Sequence, residues 1–215
     1  MALLKSKTTE IPQDAVVLSE KEAVKYQLDI IKNWPKTSQV FCLKYGPHIL
    51  AGASLLTGAY YNNYFRRKFM LGHYGRMATY LPICFVPLTL SAILHTELVV
   101  KDVLLMKSYT CPVCLQSRAA ALQAIIGGIY PLIMAPIGCS VLAVRYVTYD
   151  MPYITDSPKQ VFNIYSKMLS KIQTKTLYWF IAQAFLASII THFEVKNLFT
   201  ITTELRKQEE KALWN

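Results

Sequence analysis

Charged residues vanish from four stretches of this chain: 45–65 (21 residues), 77–96 (20), 119–144 (26) and 176–193 (18) contain no Lys, Arg, Asp or Glu. A helix rises about 1.5 Å per residue, and about 20 mostly apolar residues cross a hydrocarbon core of about 30 Å. The pattern predicts an all-α fold, a membrane helical bundle of about four transmembrane helices with amphipathic helices flanking it. The soluble alternative, a domain of buried helices, fits worse, because a soluble helix normally turns a polar face to water at every turn. Three regions follow: an N-terminal tail over 1–44, a four-span membrane domain over 45–193 and a charged C-terminal tail over 194–215.

Within the first region, residues 1–18 mix Lys, Thr, Pro and acids without periodicity and read as a flexible tail. Ser19 with Glu22 three residues later is a capping-box pattern, and Ala23, Gln27, Ile30 and Trp34 then fall beside Val24, Leu28 and Ile31 on one helical face. Pro35 ends this amphipathic helix, predicted over 19–34 with Lys21, Lys25 and Lys32 alongside. Its apolar face suits a membrane interface, a partner's groove or the bundle's own loops equally well.

The spans differ in character. The first is rich in small residues (Gly46, Ala51, Gly52, Ala53, Ser54, Gly58, Ala59), which let helices approach closely in lipid, and it ends in a collar of Tyr60, Tyr61 and Tyr64 followed by Arg66, Arg67 and Lys68. The second holds Pro82 and Pro87 and closes at His95 and Glu97. The third would be about 39 Å long, more than the core requires, and Gly127, Gly128, Pro131, Pro136 and Gly138 offer places for it to break. Before the fourth, Asp156-Ser157-Pro158 signals a turn. Val161, Ile164, Tyr165, Met168 and Leu169 then repeat at helical spacing with lysines on other faces, predicting a surface-lying helix. Residues 194–215 read as a charged helical tail.

Composition agrees: 53% of residues are hydrophobic, 17% are charged and mean hydropathy is +0.27. The net charge of +10 lies in loops and tails beside apolar segments, where anionic lipid headgroups are a simpler counter-charge than nucleic acid. No secretory signal pattern opens the chain, and residues 1–44 hold seven lysines and five acids but no arginine, a poor match to a cleavable mitochondrial presequence, so a mitochondrial address would be internal. The first loop, with four cations and no acid, favours the cytoplasmic or matrix side, which would leave both termini outside.

Candidate chemistry is sparse. Cys111-Pro112-Val113-Cys114 stands just before the third span, where a helix N-terminus would stabilise a thiolate. A structural disulfide, an inert thiol pair and thiol exchange all remain open there, whereas zinc lacks a second pair of ligands. The four histidines lie far apart, and no Ser/His/Asp set, nucleotide loop or carboxylate pair emerges. The expectation is a protein without catalytic residues, cofactor or metal. The Arg66/Arg67 pair reads as a topology anchor or as a site for cardiolipin headgroups or a partner carboxylate.

Several of these residues fall in a recognisable order. Asn62-Asn63-Tyr64-Phe65-Arg66-Arg67, Cys111-x-x-Cys114 with Arg118 four later, Gly127-Gly128-Ile129-Tyr130-Pro131 and Arg145-Tyr146 resemble successive signatures of the transmembrane protein 126 family, with Ile31-Lys32-Asn33-Trp34-Pro35 a weaker echo upstream. The resemblance implies a multi-span protein of the mitochondrial inner membrane. It also implies a non-enzymatic assembly factor that acts as a chaperone for the membrane arm of respiratory complex I. Its partners would be complex I membrane-arm subunits and assembly intermediates, other assembly factors, the inner-membrane insertase and the lipid bilayer, cardiolipin included, but not nucleic acid. Having both cysteines makes the chain resemble the A-type paralogue. Ile137-Gly138-Cys139 departs from the Asn-Gly-Gly usual in the family after the span-three proline. The alternative from the residues themselves is a membrane thiol-disulfide oxidoreductase using Cys111 and Cys114.

Overall fold

The computed structural model describes residues 18–106, 111–152 and 157–214. Most of the N-terminal tail and Asp156 of the predicted turn lie outside them. Six helical runs make up the described chain: α1 (Glu20–Lys32), α2 (Thr37–Lys68), α3 (Arg76–Leu104), α4 (Pro112–Arg145), α5 (Pro158–Ser170) and α6 (Gln173–Leu213), and no strand occurs among the described residues. The fold is an all-α membrane bundle.

Among the described residues three helices are long and apolar enough to cross a bilayer: α3 with 29 residues, α4 with 34 and α6 over Gln173–Ala212. The first predicted span, 45–65, lies within the 32-residue α2, which has the length but not the apolarity. Pro47, His48, Tyr60, Tyr61, Asn62 and Asn63 dilute it, and Ser54, Thr57 and Asn62 are completely buried against other helices. Absence of charge measured the run; it did not measure how polar the uncharged residues were. The fourth span and the charged tail form one helix, because nothing in 190–200 interrupts helical hydrogen bonding.

Among the described residues, two of the three irregular turns fall at prolines or glycines, and the third, at Thr96–Val100, holds neither. α3 widens into π turns at Leu81–Phe85, which holds Pro82, and at Thr96–Val100, and α4 does so at Ala124–Ile129, which holds Gly127 and Gly128. A proline has no N–H for the carbonyl four residues back, so Pro87 cannot bond that of Ile83. Gly58 of α2 packs on this carbonyl so closely that a Cβ there would stand 2.5 Å from the oxygen. The carbonyl of Pro82 accepts from the Tyr130 hydroxyl at 3.1 Å. Neighbouring helices thus fill the gaps that irregular turns open, as a bilayer interior demands.

The described residues fall into two compact units. One comprises residues up to Pro47 with Leu94–Ala119 and those from Ser188 on. There Ser19 caps α1 in a full capping box, and Gln27 and Ile31 turn inward so that α1 lies against Met106, Ile201 and Leu205. Of the surfaces open to the predicted amphipathic helix, it covers one in its own chain. The other unit comprises His48–Ile93 and Ala120–Ala187, with Tyr61, Phe65, Phe69, Ile83, Cys139 and Leu142 at its core. Val161 of α5 is buried in that core while Tyr165, Met168 and Leu169 pack on it, so the surface-lying helix is pinned by one face.

Candidate functional site

Two amides command the centre of the second unit. Gln123 and Gln183 are the only glutamines in the third and fourth charge-free runs, and each is 2% exposed. Gln123 Nε2 donates toward Gln183 Oε1 at 2.7 Å and toward the Leu50 carbonyl and Ser54 Oγ at 3.0 Å, while its Oε1 accepts from Ser91 Oγ at 2.7 Å. Gln183 Nε2 donates to Thr57 Oγ1 at 2.6 Å and to the Ala53 carbonyl at 2.9 Å. One network therefore ties α2, α3, α4 and α6. A Cβ on Gly127 would sit 2.9 Å from Ser54 Oγ and 3.0 Å from Gln183 Oε1, so this glycine makes room for the amides. Scanning for charge missed the network; a lone amide in an apolar run was the available signal, since in lipid it must find a partner.

The first unit holds a buried pair. His95 Nε2 lies 3.1 Å from each carboxylate oxygen of Glu194, and neither side chain is more than 4% exposed. Gly46 faces this carboxylate, and a Cβ there would come within 2.5 Å of Oε1. In the sequence Glu194 opens the charged helical tail and His95 closes the second span. Continuity of α6 brings the first inside, opposite the second.

The residues singled out by motif are dispersed. Arg66, 5% exposed, donates to the Gly72 and Tyr74 carbonyls at 2.9 and 2.8 Å, to Thr79 Oγ1 at 3.0 Å and to the Gly75 carbonyl at 3.4 Å. It braces the turn between α2 and α3, whereas Arg67 is exposed, so the predicted arginine pair is split into a strut and a surface cation. Asn62 is buried and accepts from Cys139 Sγ at 3.5 Å, and Phe65 stacks on Phe69. Gly128 packs on Phe180, and Pro131 is buried beside Tyr130. Arg145 lies over the Tyr146 ring, which stacks on Tyr74 with centroids 5.0 Å apart. Arg118, in the first unit, pairs with Asp102.

Cys111 and Cys114 are joined by a disulfide at the start of α4, with the Cys114 N–H 3.2 Å from Cys111 Sγ and Val113 between them 68% exposed. Cys84 and Cys139 are buried free thiols, and among the described residues no three His, Cys, Asp or Glu side chains gather as a metal site. Chemically, the amide network, the His95–Glu194 pair and the Arg66 strut satisfy their polar groups on one another and hold helices together.

Compared with known proteins, the chain matches the family model described as transmembrane protein 126 over residues 21–211. It is 39% identical over 212 residues to transmembrane protein 126 of Drosophila melanogaster, covering 99% of this chain and 95% of that protein. It is 26% identical over 168 residues to transmembrane protein 126A of Mus musculus, covering 78% and 82%. No solved structure matches.

Proposed function

The chain belongs to the transmembrane protein 126 family, and from that premise we propose that it is a non-enzymatic assembly factor of the mitochondrial inner membrane, a chaperone for the membrane arm of respiratory complex I. The observation that carries this reading is how the polar and apolar groups are divided. Inside the units, Gln123, Gln183, His95, Glu194 and Arg66 bond to neighbouring helices and turns, which stiffens the framework. Outside, α3, α4 and α6 present Phe85, Ile93, Ile133, Val141, Ile181 and Phe185, all more than half exposed. A rigid frame with an apolar, irregular exterior can hold an inserted membrane subunit by dispersion contacts and release it when tighter native packing replaces them.

Blue-native fractionation of mitochondria tests the proposal. The protein should migrate with complex I assembly intermediates, and its removal should lower mature complex I while other respiratory complexes keep their levels. Normal complex I in its absence overturns the reading.

One observation favours a second reading, in which the protein exchanges disulfides with client thiols: the Cys111–Cys114 bond is formed and lies at an exposed helix start. Replacing both cysteines by Ser separates the two. Unchanged complex I assembly removes the thiol reading, and lost assembly supports either thiol exchange or a required structural disulfide, which trapping of a mixed disulfide with a client by a single Ser variant tells apart.

A further inference from the structure

Charge in the second unit is strongly one-sided. Asp150 is the one acid among its described residues, and its exposed cations include Arg67 and Lys68 at the end of α2, Arg145 at the end of α4, and Lys159, Lys167 and Lys171 on and just after α5. Packing gathers these cations at one end of the unit. The Tyr64 hydroxyl donates to the Met168 carbonyl at 2.8 Å, Thr148 Oγ1 donates to the Phe69 carbonyl at 2.9 Å, and Phe69, Leu142, Met151, Val161 and Ile172 share one core. With its inner face held there, α5 turns outward both its lysines and Phe162, which is 70% exposed; Val147, beside Arg145, is 88% exposed.

An exposed aromatic ring on a helix whose outward side also carries three lysines fits a specific environment: the boundary of a bilayer whose lipids carry negative headgroups, where the ring reaches the acyl margin and the ammonium groups meet phosphates. We infer that α5 and the adjoining ends of α2 and α4 form a docking platform for anionic phospholipid headgroups. Charge complementarity selects this occupant over zwitterionic lipid. Arg66 is excluded from the headgroup contacts, since the turn it braces already takes up its donors. The inference stands apart from any role in complex I.

Native mass spectrometry of the full-length protein, released from uncharged detergent micelles doped equally with phosphatidylglycerol and phosphatidylcholine, tests it. Wild type should retain phosphatidylglycerol in preference, and less of it as ionic strength rises. The exposed triple change Lys159→Gln, Lys167→Gln, Lys171→Gln should reduce those adducts by roughly a hundredfold, at about fivefold for each interfacial cation. The matching change on α1, Lys21→Gln, Lys25→Gln, Lys32→Gln, should leave them. Equal retention of both lipids, adducts unchanged in the α5 variant, or equal loss in the α1 variant would each overturn the inference. So would displacement of the lipid by polyglutamate at equal charge, which would assign the face to an acidic polypeptide. If the triple variant does not keep the wild-type melting temperature in phosphatidylcholine, the three single variants give the same readout in steps, each expected to lower the adducts severalfold.

Discussion

Gly46 stands where no other residue fits without displacing something. A methyl group there would meet Glu194 Oε1 at 2.5 Å and Ile190 Cγ2 at 2.8 Å, and the carboxylate cannot retreat without giving up its contacts with His95. Gly46→Ala should therefore lower the melting temperature of the detergent-solubilised protein as His95→Ala does. The latter leaves a buried carboxyl group without its hydrogen-bond partner, a loss of about 1–3 kcal/mol. Replacing both His95 and Glu194 by Leu should cost less than the sum of His95→Leu and Glu194→Leu, because the group that each single change orphans goes with its partner. Additive losses in that double-mutant cycle would show that the two side chains do not stabilise each other.

Among whole elements, α2 carries the sharpest contrast. Its small residues read from the sequence as one packing face, yet Gly58 presses on the Ile83 carbonyl of α3 whereas a Cβ at Gly52 would meet nothing within 4 Å. Gly58→Ala should cost about 1–3 kcal/mol through overpacking, while Gly52→Ala should be neutral or stabilise the helix by about 0.5–1 kcal/mol. Thermal melts of the two variants side by side decide this, and similar losses would mean the face packs evenly. At α1, the Ser19 hydroxyl and backbone N–H hold the Glu22 carboxyl below the usual glutamate range. A lowered folded value means the cap contributes fully above the ordinary glutamate range and weakens as pH falls through the folded value. Protection of the first-turn amides of α1, measured against the intrinsic exchange rate at each pH, should fall over that acidic interval, and in Ser19→Ala it should already be low at neutral pH.

For the molecule as a whole, charge-free length and apolar composition predict the membrane bundle, and α3, α4 and α6 each have that length and apolarity. Alkaline carbonate should leave the protein in the pellet with integral membrane proteins, and release into the supernatant would contradict the bundle. What the sequence hid was tertiary in origin. Glu194 marks the start of the charged tail in the sequence, and only the 41-residue continuity of α6 turns it inward to His95. Gln123 and Gln183 are single uncharged amides in apolar runs, and only helix packing brings them within 2.7 Å of each other. Arg66 and Arg67 are adjacent and chemically identical, and only the path of the turn after α2 decides which is buried.

The π turn at Ala124–Ile129 also bears on how this chain tolerates changes in length. Such a turn accommodates one residue more than a regular helix would over the same rise, so it is the spot where an insertion can be taken up and a deletion discharged without rotating everything downstream. Removing a single residue between that turn and Cys139 would swing Cys139 and Leu142 away from their neighbours by about 100°; removing Ile125, whose side chain points outward, should tighten the coil locally and leave those contacts in register.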